Sequence, residues 1–240
     1  MKLLVLDSSG LVASVALLED ERLIAEYTTG NKLTHSQTLL PMLDEIIRRT
    51  TFDMEDVDAI AVAMGPGSFT GLRIGAATAK GLGLALDKPV IPVPTVDGLA
   101  YQLFGVSSLI CPMMDARRKQ VYTGFYRFHG DQMEVVKEQC AQSVQDTLEQ
   151  LKAYGEPVIF LGDGVPVYRK EIEEAMGADA VFAPAHANRQ RAGAVGALAE
   201  VYYRKGIWQS ADAFAPEYLR KSQAEREREE RIHGQSEGKR

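Results

Sequence analysis

The chain has 240 residues, and 45% of them are hydrophobic, which excludes a disordered chain. Its formal net charge is −6, so the chain as a whole lacks the positive charge that is typical of nucleic-acid-binding proteins. Its two cysteines lie far apart without a C-x-x-C pair, which argues against the common zinc and redox motifs. The first residues enter a strand directly and no apolar run approaches the length of a membrane span, so we expect a cytoplasmic protein without membrane contact.

The first hundred residues alternate strands and helices in the order β-β-β-α-β-α-β. Tight turns separate the first three strands, which predicts an antiparallel meander, and the helical crossovers that follow predict one lobe of mixed sheet. Amphipathic spacing of leucine and isoleucine predicts the first helix, which Pro41 should bend unless the helix begins near it. The predicted elements are strands 2–7, 11–18 and 22–28, helix 34–50, strand 57–63, helix 71–86 and strand 89–93.

The next hundred residues loosely repeat this order, which suggests a duplicated fold although no residue-level repeat is visible. The predicted elements are strands near 108–114, 120–128 and 133–138, a helix near 143–152, strand 157–162 and helices near 166–176 and 188–205. We therefore expect an α/β protein of two lobes, each a mixed sheet with helices. The expected division is a first lobe over 1–103 completed by a C-terminal helix at about 208–226, a second lobe over 104–207 and a disordered charged tail over 227–240.

A glycine-rich loop, GPGSFTGLRIG at residues 65–75, joins an apolar strand to a long helix of small residues. Its glycines predict a tight turn held close to another group, and the helix start with Arg73 resembles an anion site. The loop is not a P-loop, because no Gly-Lys-Ser/Thr ends it, and its glycine spacing is one residue too long for a dinucleotide fingerprint. A turn that serves only close packing is the alternative that the residues alone favour.

Asp7, Ser8 and Ser9 follow the first strand and are candidates for holding a phosphate or a hydrated metal ion. The alternative, which the residues favour, is an Asx or Ser turn that satisfies the hairpin backbone. No histidine pair has metal-ligand spacing, and the G-x-S-x-G elbow of serine hydrolases is absent.

The helix over 71–86 is apolar almost all round, which predicts an interface with another protein. A stripe of glycine and alanine at four-residue intervals would allow a close approach. The predicted dimerisation surface combines two helices: Leu39, Leu43 and Ile46 on the first, and Gly71, Ile74, Gly75, Thr78 and Leu82 on the second.

Several motifs together resemble the TsaB (YeaZ) family, the dimerisation subunit of the bacterial machinery that makes threonylcarbamoyladenosine in tRNA. The resemblance covers about residues 1–225 and implies the two-lobed actin-like, sugar-kinase and Hsp70-like ATPase fold. The glycine loop and the late Tyr-Leu-Arg are its most specific parts. The matching segments are Leu3–Ser9, Ser14–Leu17, His35–Gln37, Gly65–Gly75, Ala79–Gly81 and Pro216–Arg220.

The resemblance also implies what this chain lacks. The related catalytic subunit TsaD carries an H-x-x-x-H metal pair, and the matching positions here are Thr95 and Leu99, which are poor or impossible metal ligands. The Gly162–Gly164 turn is too short to match TsaD's late nucleotide loop. We therefore expect no catalytic, metal or cofactor site in the isolated chain, although a nucleotide at a partner interface stays open.

The function that the resemblance implies is a non-catalytic scaffold. It would pair with TsaD, recruit the small ATPase TsaE, form a homodimer when alone and meet tRNA only through the complex. Two other classes stay open: an active ATPase or kinase of the same fold, which needs a working nucleotide cleft, and a peptidase, which needs a metal pair or a nucleophile with its base.

Overall fold

The computed structural model describes residues 1–30 and 33–220, and the first lobe that it shows is a five-stranded mixed sheet. The strand order is β3-β2-β1-β4-β5, with β1 antiparallel to β2 and parallel to β4, as the predicted meander and crossover require. The elements are β1 (Lys2–Asp7), β2 (Ala13–Glu19), β3 (Arg22–Thr29), α1 (His35–Arg48), β4 (Ala59–Gly65), α2 (Phe69–Leu86) and β5 (Val90–Pro94). A short helix that the sequence did not predict, α3 (Thr95–Tyr101), leads to the second lobe.

The second lobe repeats this topology. Its strand order, β8-β7-β6-β9-β10, is the first lobe's order with each number raised by five, and β6 is antiparallel to β7 and parallel to β9. The elements are β6 (Leu109–Asp115), β7 (Gln120–His129), β8 (Gln132–Ser143), α4 (Val144–Lys152), β9 (Val158–Leu161), α5 (Gly164–Met176) and β10 (Ala180–Phe182). The two matching lobes confirm the predicted actin-like α/β fold.

After β10 the chain returns to the first lobe. This segment had been assigned to the second lobe, over residues 104–207, in the sequence analysis. Helix α6 (Ala192–Arg204) packs on the face of the first sheet opposite α1 and α2, with Val195 and Leu198 in one core with Val5. A Cβ atom at Gly196 would lie 2.6 Å from Leu18, so the helix fits the sheet closely. The first sheet therefore has helices on both faces, which buries its central strands completely.

The segment after α6 differs from the predicted helix over 208–226. Within residues 208–220 the structure has no helix; Gln209 instead exchanges backbone hydrogen bonds of 2.8 and 3.0 Å with Val90. Pro216 lacks an N–H group and disfavours helical geometry in the residue before it, and the Glu217 N–H donates to Met64 O at 2.7 Å. The rest of that helix and the tail over 227–240 lie outside the described residues.

Among residues 1–30 and 33–220, no helix is both long and apolar enough to cross a membrane.

Candidate functional site

In the turn after β1, the polar side chains of Asp7 and Ser9 form hydrogen bonds within the turn itself. Asp7 is 1% exposed, and its Oδ1 accepts hydrogen bonds from the Ser9 N–H at 2.9 Å and from the Ser9 hydroxyl at 2.6 Å. Burial raises the pKa of Asp7, and the two bonds from Ser9 partly oppose that shift. These are the hydrogen bonds of the Asx-type turn that the sequence favoured over a phosphate or metal site.

The glycine loop packs directly on this turn. The Ser68 N–H donates to Ser9 O at 2.7 Å, and the Ser8 hydroxyl donates to Gly71 O at 2.9 Å. A Cβ atom would lie 2.3 Å from Ser9 O at Gly67 and 2.0 Å from Ser8 O at Gly71, so side chains cannot be placed there without movement. The glycines therefore allow α2 to lie against the backbone of the first turn, and the polar groups of the two segments form hydrogen bonds with each other.

Thr95 and Leu99 are part of the core. Thr95 is fully buried, and its hydroxyl oxygen accepts a hydrogen bond from the Gly65 N–H at 3.1 Å, which fixes the start of the glycine loop. Leu99 is 1% exposed and lies against Gly162 of the second lobe. In the part of the chain that the structure describes, no group of three or more His, Cys, Asp or Glu residues could hold a metal ion.

The Gly162–Gly164 turn in the second lobe is also satisfied from within the chain. The buried Asp163 carboxylate accepts a hydrogen bond from the Asp115 N–H at 3.0 Å, and burial raises its pKa. The Gly162 N–H donates to the Asn188 side-chain oxygen at 2.7 Å. The turn is thus tied to β6 and to the segment before α6.

A buried carboxyl group between the lobes was missed by the sequence analysis. Asp97, on α3, is 5% exposed and accepts hydrogen bonds from the hydroxyl groups of Tyr126 at 2.7 Å and Tyr202 at 3.1 Å. Burial raises its pKa, while these bonds lower it. Tyr126 belongs to the second lobe and Tyr202 to α6 on the first, so Asp97 links the lobes. No sequence pattern indicates such a group, because its three members are far apart along the chain.

The predicted dimerisation surface needs correction. Leu39, Leu43 and Ile46 are 1%, 3% and 7% exposed, because they form the face of α1 that covers the first sheet. Gly71 and Gly75 are also buried, and both lie against Ser8 of this chain instead of a second chain.

The rest of that predicted surface is only half-buried: Ile74, Thr78 and Leu82 pack partly against the first-lobe core or beside it. The apolar side chains that do face outward are different ones. Leu40 on α1 is 53% exposed and Leu84 on α2 is 62% exposed, and Ala77 on α2 is exposed as well. We call Leu40, Ala77 and Leu84 the outer ridge.

Comparisons with known proteins agree with this architecture. The family model of TsaD, the tRNA N6-adenosine threonylcarbamoyltransferase, matches residues 23–228. The chain is 34% identical over 227 residues to TsaB, the tRNA threonylcarbamoyladenosine biosynthesis protein of Bacillus subtilis strain 168, covering 94% of this chain and 96% of that protein. It is 31% identical over 159 residues to TsaB of Escherichia coli K12, covering 63% and 68%.

Two solved structures from Pseudomonas aeruginosa share the whole fold. YeaZ superposes with a TM-score of 0.75 at 27% identity, covering 90% of this chain and 100% of that chain. A protein described as similar to peptidase YeaZ superposes with a TM-score of 0.79 at 28% identity, covering 91% and 99%. With the length of the Bacillus match, these findings show that the chain belongs to the TsaB (YeaZ) family.

Proposed function

We propose that this chain is a non-catalytic scaffold in the biosynthesis of threonylcarbamoyladenosine in tRNA and that it pairs with a TsaD-type catalytic subunit. The observation that carries the proposal is that Thr95 and Leu99 have structural roles in this chain. They occupy the positions that match the metal-binding histidine pair of the catalytic relative. The Thr95 hydroxyl holds the glycine loop through the Gly65 N–H at 3.1 Å, and Leu99 fills the core between the lobes. Neither side chain is available to a metal ion or a substrate.

The first turn supports the same proposal. A phosphate at the end of β1 would need free N–H and hydroxyl donors, but Ser9 gives both of its donors to Asp7 and Ser8 gives its hydroxyl to Gly71. The Asp7 carboxyl group is buried beside this turn, and its negative charge when ionised would also repel a phosphate. The cleft of an active ATPase or kinase would require these contacts to open.

The partner face in this proposal is the outer surface of α1 and α2, with Leu40, Ala77 and Leu84 as its apolar contacts. The same face would serve the homodimer of the isolated chain and the pairing with TsaD, so the two states would compete. Recruitment of TsaE would follow once TsaD is bound, and tRNA would meet the chain only within that complex. A nucleotide would then lie, if anywhere, at the partner interface.

The test is reconstitution of threonylcarbamoyl transfer to tRNA with purified subunits. We expect no transfer by this chain alone, and transfer when it is combined with TsaD, TsaE and the enzyme that supplies the activated threonylcarbamoyl group. Transfer by the chain alone would contradict the proposal. ATP hydrolysis by the chain alone that Asp7→Asn abolishes would instead favour the ATPase or kinase alternative, and a tightly bound transition metal found by elemental analysis would reopen the peptidase class.

A further inference from the structure

An aromatic stack at the beginning of α2 carries an exposed arginine. The guanidinium carbon of Arg73 lies 4.0 Å from the ring centroid of Phe69. The ring centroids of Phe69 and Tyr218 are 4.7 Å apart, and their planes are tilted by 39°. Arg73 is exposed and Tyr218 is 38% exposed. Stacking covers one face of the guanidinium group and restricts its orientation, while its N–H edge stays free to bind a planar anion in two places.

Arg73 differs from the other arginines on helices of this chain. Arg48, Arg49 and Arg169 each pair with a carboxylate four residues earlier or later on the same helix. Helix α2 contains no acidic residue, and within the described residues no carboxylate pairs with Arg73. In a chain of net charge −6, an oriented and unpaired cation is suited to an anion that another molecule brings.

The stack is held in place from both lobes by residues 214–220, which we call the C-terminal strap. Phe214 is 1% exposed in the first-lobe core, and the Glu217 N–H donates to Met64 O at 2.7 Å. On the other side, Arg220 donates a hydrogen bond to the backbone oxygen of Ala116 in the second lobe. Tyr218 lies between these anchors, so its ring has a fixed support when it stacks on Phe69.

The position of Arg73 relates the stack to the outer ridge. Arg73, Ala77 and Leu84 are spaced by four and seven residues, which places them on one face of α2. Helix α2 carries only one other cation, Lys80, and its ammonium group already donates to the backbone oxygens of Asp212 and Phe214 at 2.9 and 3.0 Å. One free cation beside apolar side chains fits a protein carboxylate, whereas a nucleic-acid backbone calls for several cations together.

We propose that Arg73 recognises a carboxylate on the catalytic partner that docks on the outer ridge, and that Phe69 and Tyr218 position it for that contact. The inference rests on the proposed function, because it assigns a charge contact to the same partner face. Arg73 is the recognition residue, and Tyr218 is a positioning residue that acts through Phe69.

The first experiment measures the dissociation constant between the full chain and purified TsaD by calorimetry at low and high salt. We expect Arg73→Glu to weaken binding about 30-fold and Arg73→Lys about threefold, because lysine keeps the charge but not the planar, stacked geometry. The effect of Arg73→Glu should shrink at high salt. The matched control is Arg169→Glu, at an exposed arginine in the second lobe, which should leave the dissociation constant unchanged.

The second experiment tests the support of the arginine. Tyr218→Ala should weaken binding about fivefold and Tyr218→Phe should restore it, because the ring and not the hydroxyl makes the stack. Equal losses in both variants would contradict the positioning role. Circular dichroism on every variant confirms that the fold is intact.

The outcomes separate this inference from the proposed function. If Leu84→Glu abolishes binding while Arg73→Glu stays within twofold of the parent, the charge contact is wrong and the partner face stands. If the parent chain does not bind TsaD, both proposals fail. If the chain alone binds tRNA and Arg73→Glu weakens that binding instead, Arg73 recognises phosphate and the carboxylate inference is overturned.

Discussion

The two lobes share one topology but differ at the turn that follows their first strand. Asp7 ends β1 and Asp115 ends β6, so the two aspartates occupy equivalent places. Asp7 is buried under the glycine loop, and among the described residues its side chain accepts hydrogen bonds from Ser9 alone. The side chain of Asp115 is 13% exposed, and it accepts hydrogen bonds from the Tyr168 hydroxyl and the Arg117 N–H, both at 2.9 Å. Both lobes therefore have a carboxylate at the end of their first strand, but the groups around the two carboxylates differ.

The backbone of the two turns differs as well. In the second lobe three consecutive residues, Arg117, Arg118 and Lys119, have φ angles of +65°, +54° and +57°, in the left-handed region that side chains disfavour. In the first lobe the equivalent turn contains Gly10 and no such residues. The first turn is therefore stabilised by close packing, whereas the second is a strained and exposed basic loop. Each difference predicts a substitution whose effect can be compared with that of a control substitution elsewhere in the chain.

The largest expected effect comes from placing a side chain between the glycine loop and the first turn. Gly71→Ala puts a Cβ atom 2.0 Å from Ser8 O, and neither backbone can move without opening the buried turn. We expect a loss of about 3 kcal/mol or more in the free energy of unfolding, at the upper end of overpacking effects. Urea unfolding followed by circular dichroism measures it.

The control lies in the same helix. Nothing lies within 4 Å of a Cβ atom at Gly81, so Gly81→Ala should raise the free energy of unfolding by up to about 1 kcal/mol through helix propensity. Equal effects of the two substitutions would show that the close approach of α2 to Ser8 is not what stabilises the first lobe.

The sequence predicted nine of the ten described strands and the long helices because these segments carry their own periodicity, and it missed β10, which has only three residues. It also predicted close packing at the glycine loop, since three glycines in a short stretch have few other uses. The sequence did not show what each apolar helix face contacts. Leucines at the amphipathic spacing of α1 fit a buried core as well as an interface, and only the position of the sheet shows that they pack on the core. Contacts between distant segments had no local signal, which is why the link through Asp97 and the stack on Tyr218 were not predicted.

A smaller effect is expected at the carboxyl group that joins the lobes. Asp97→Asn keeps the shape of the side chain and, like the protonated carboxyl group, presents one acceptor and one donor to the two tyrosine hydroxyls, so in acid it should change the free energy of unfolding by less than about 1 kcal/mol. Burial raises the pKa of Asp97, so its protonated form stabilises the fold below the ordinary value of 3.8, and that contribution is lost as pH rises through the raised value. The variant should therefore match the parent below pH 3.8 and become the more stable of the two as pH rises.

The control for that pH series is an aspartate whose pKa is shifted in the opposite direction. A hydrogen bond from Ser210 lowers the pKa of the exposed Asp212, so its contribution is present above 3.8 and lost as pH falls. Asp212→Asn should therefore have its effect at neutral pH and none in strong acid. A pH-independent difference for Asp97→Asn would mean that the buried carboxyl does not titrate in the folded state over this range.

The smallest expected effect tests the strained turn of the second lobe. Lys119→Gly removes a side chain from a residue with a φ of +57°, where glycine has no steric penalty, while the Lys119 oxygen can still accept the Val144 N–H at 3.0 Å. Relief of the left-handed strain, offset by glycine's greater freedom in the unfolded chain, should stabilise the protein by about 0.5 kcal/mol. Lys205→Gly is the control: Lys205 has a φ of −83°, so glycine relieves nothing there and should cost about 0.5–1 kcal/mol. If both substitutions destabilise the protein equally, the left-handed turn stores no strain, and the contrast between the two lobes lies in their side chains alone.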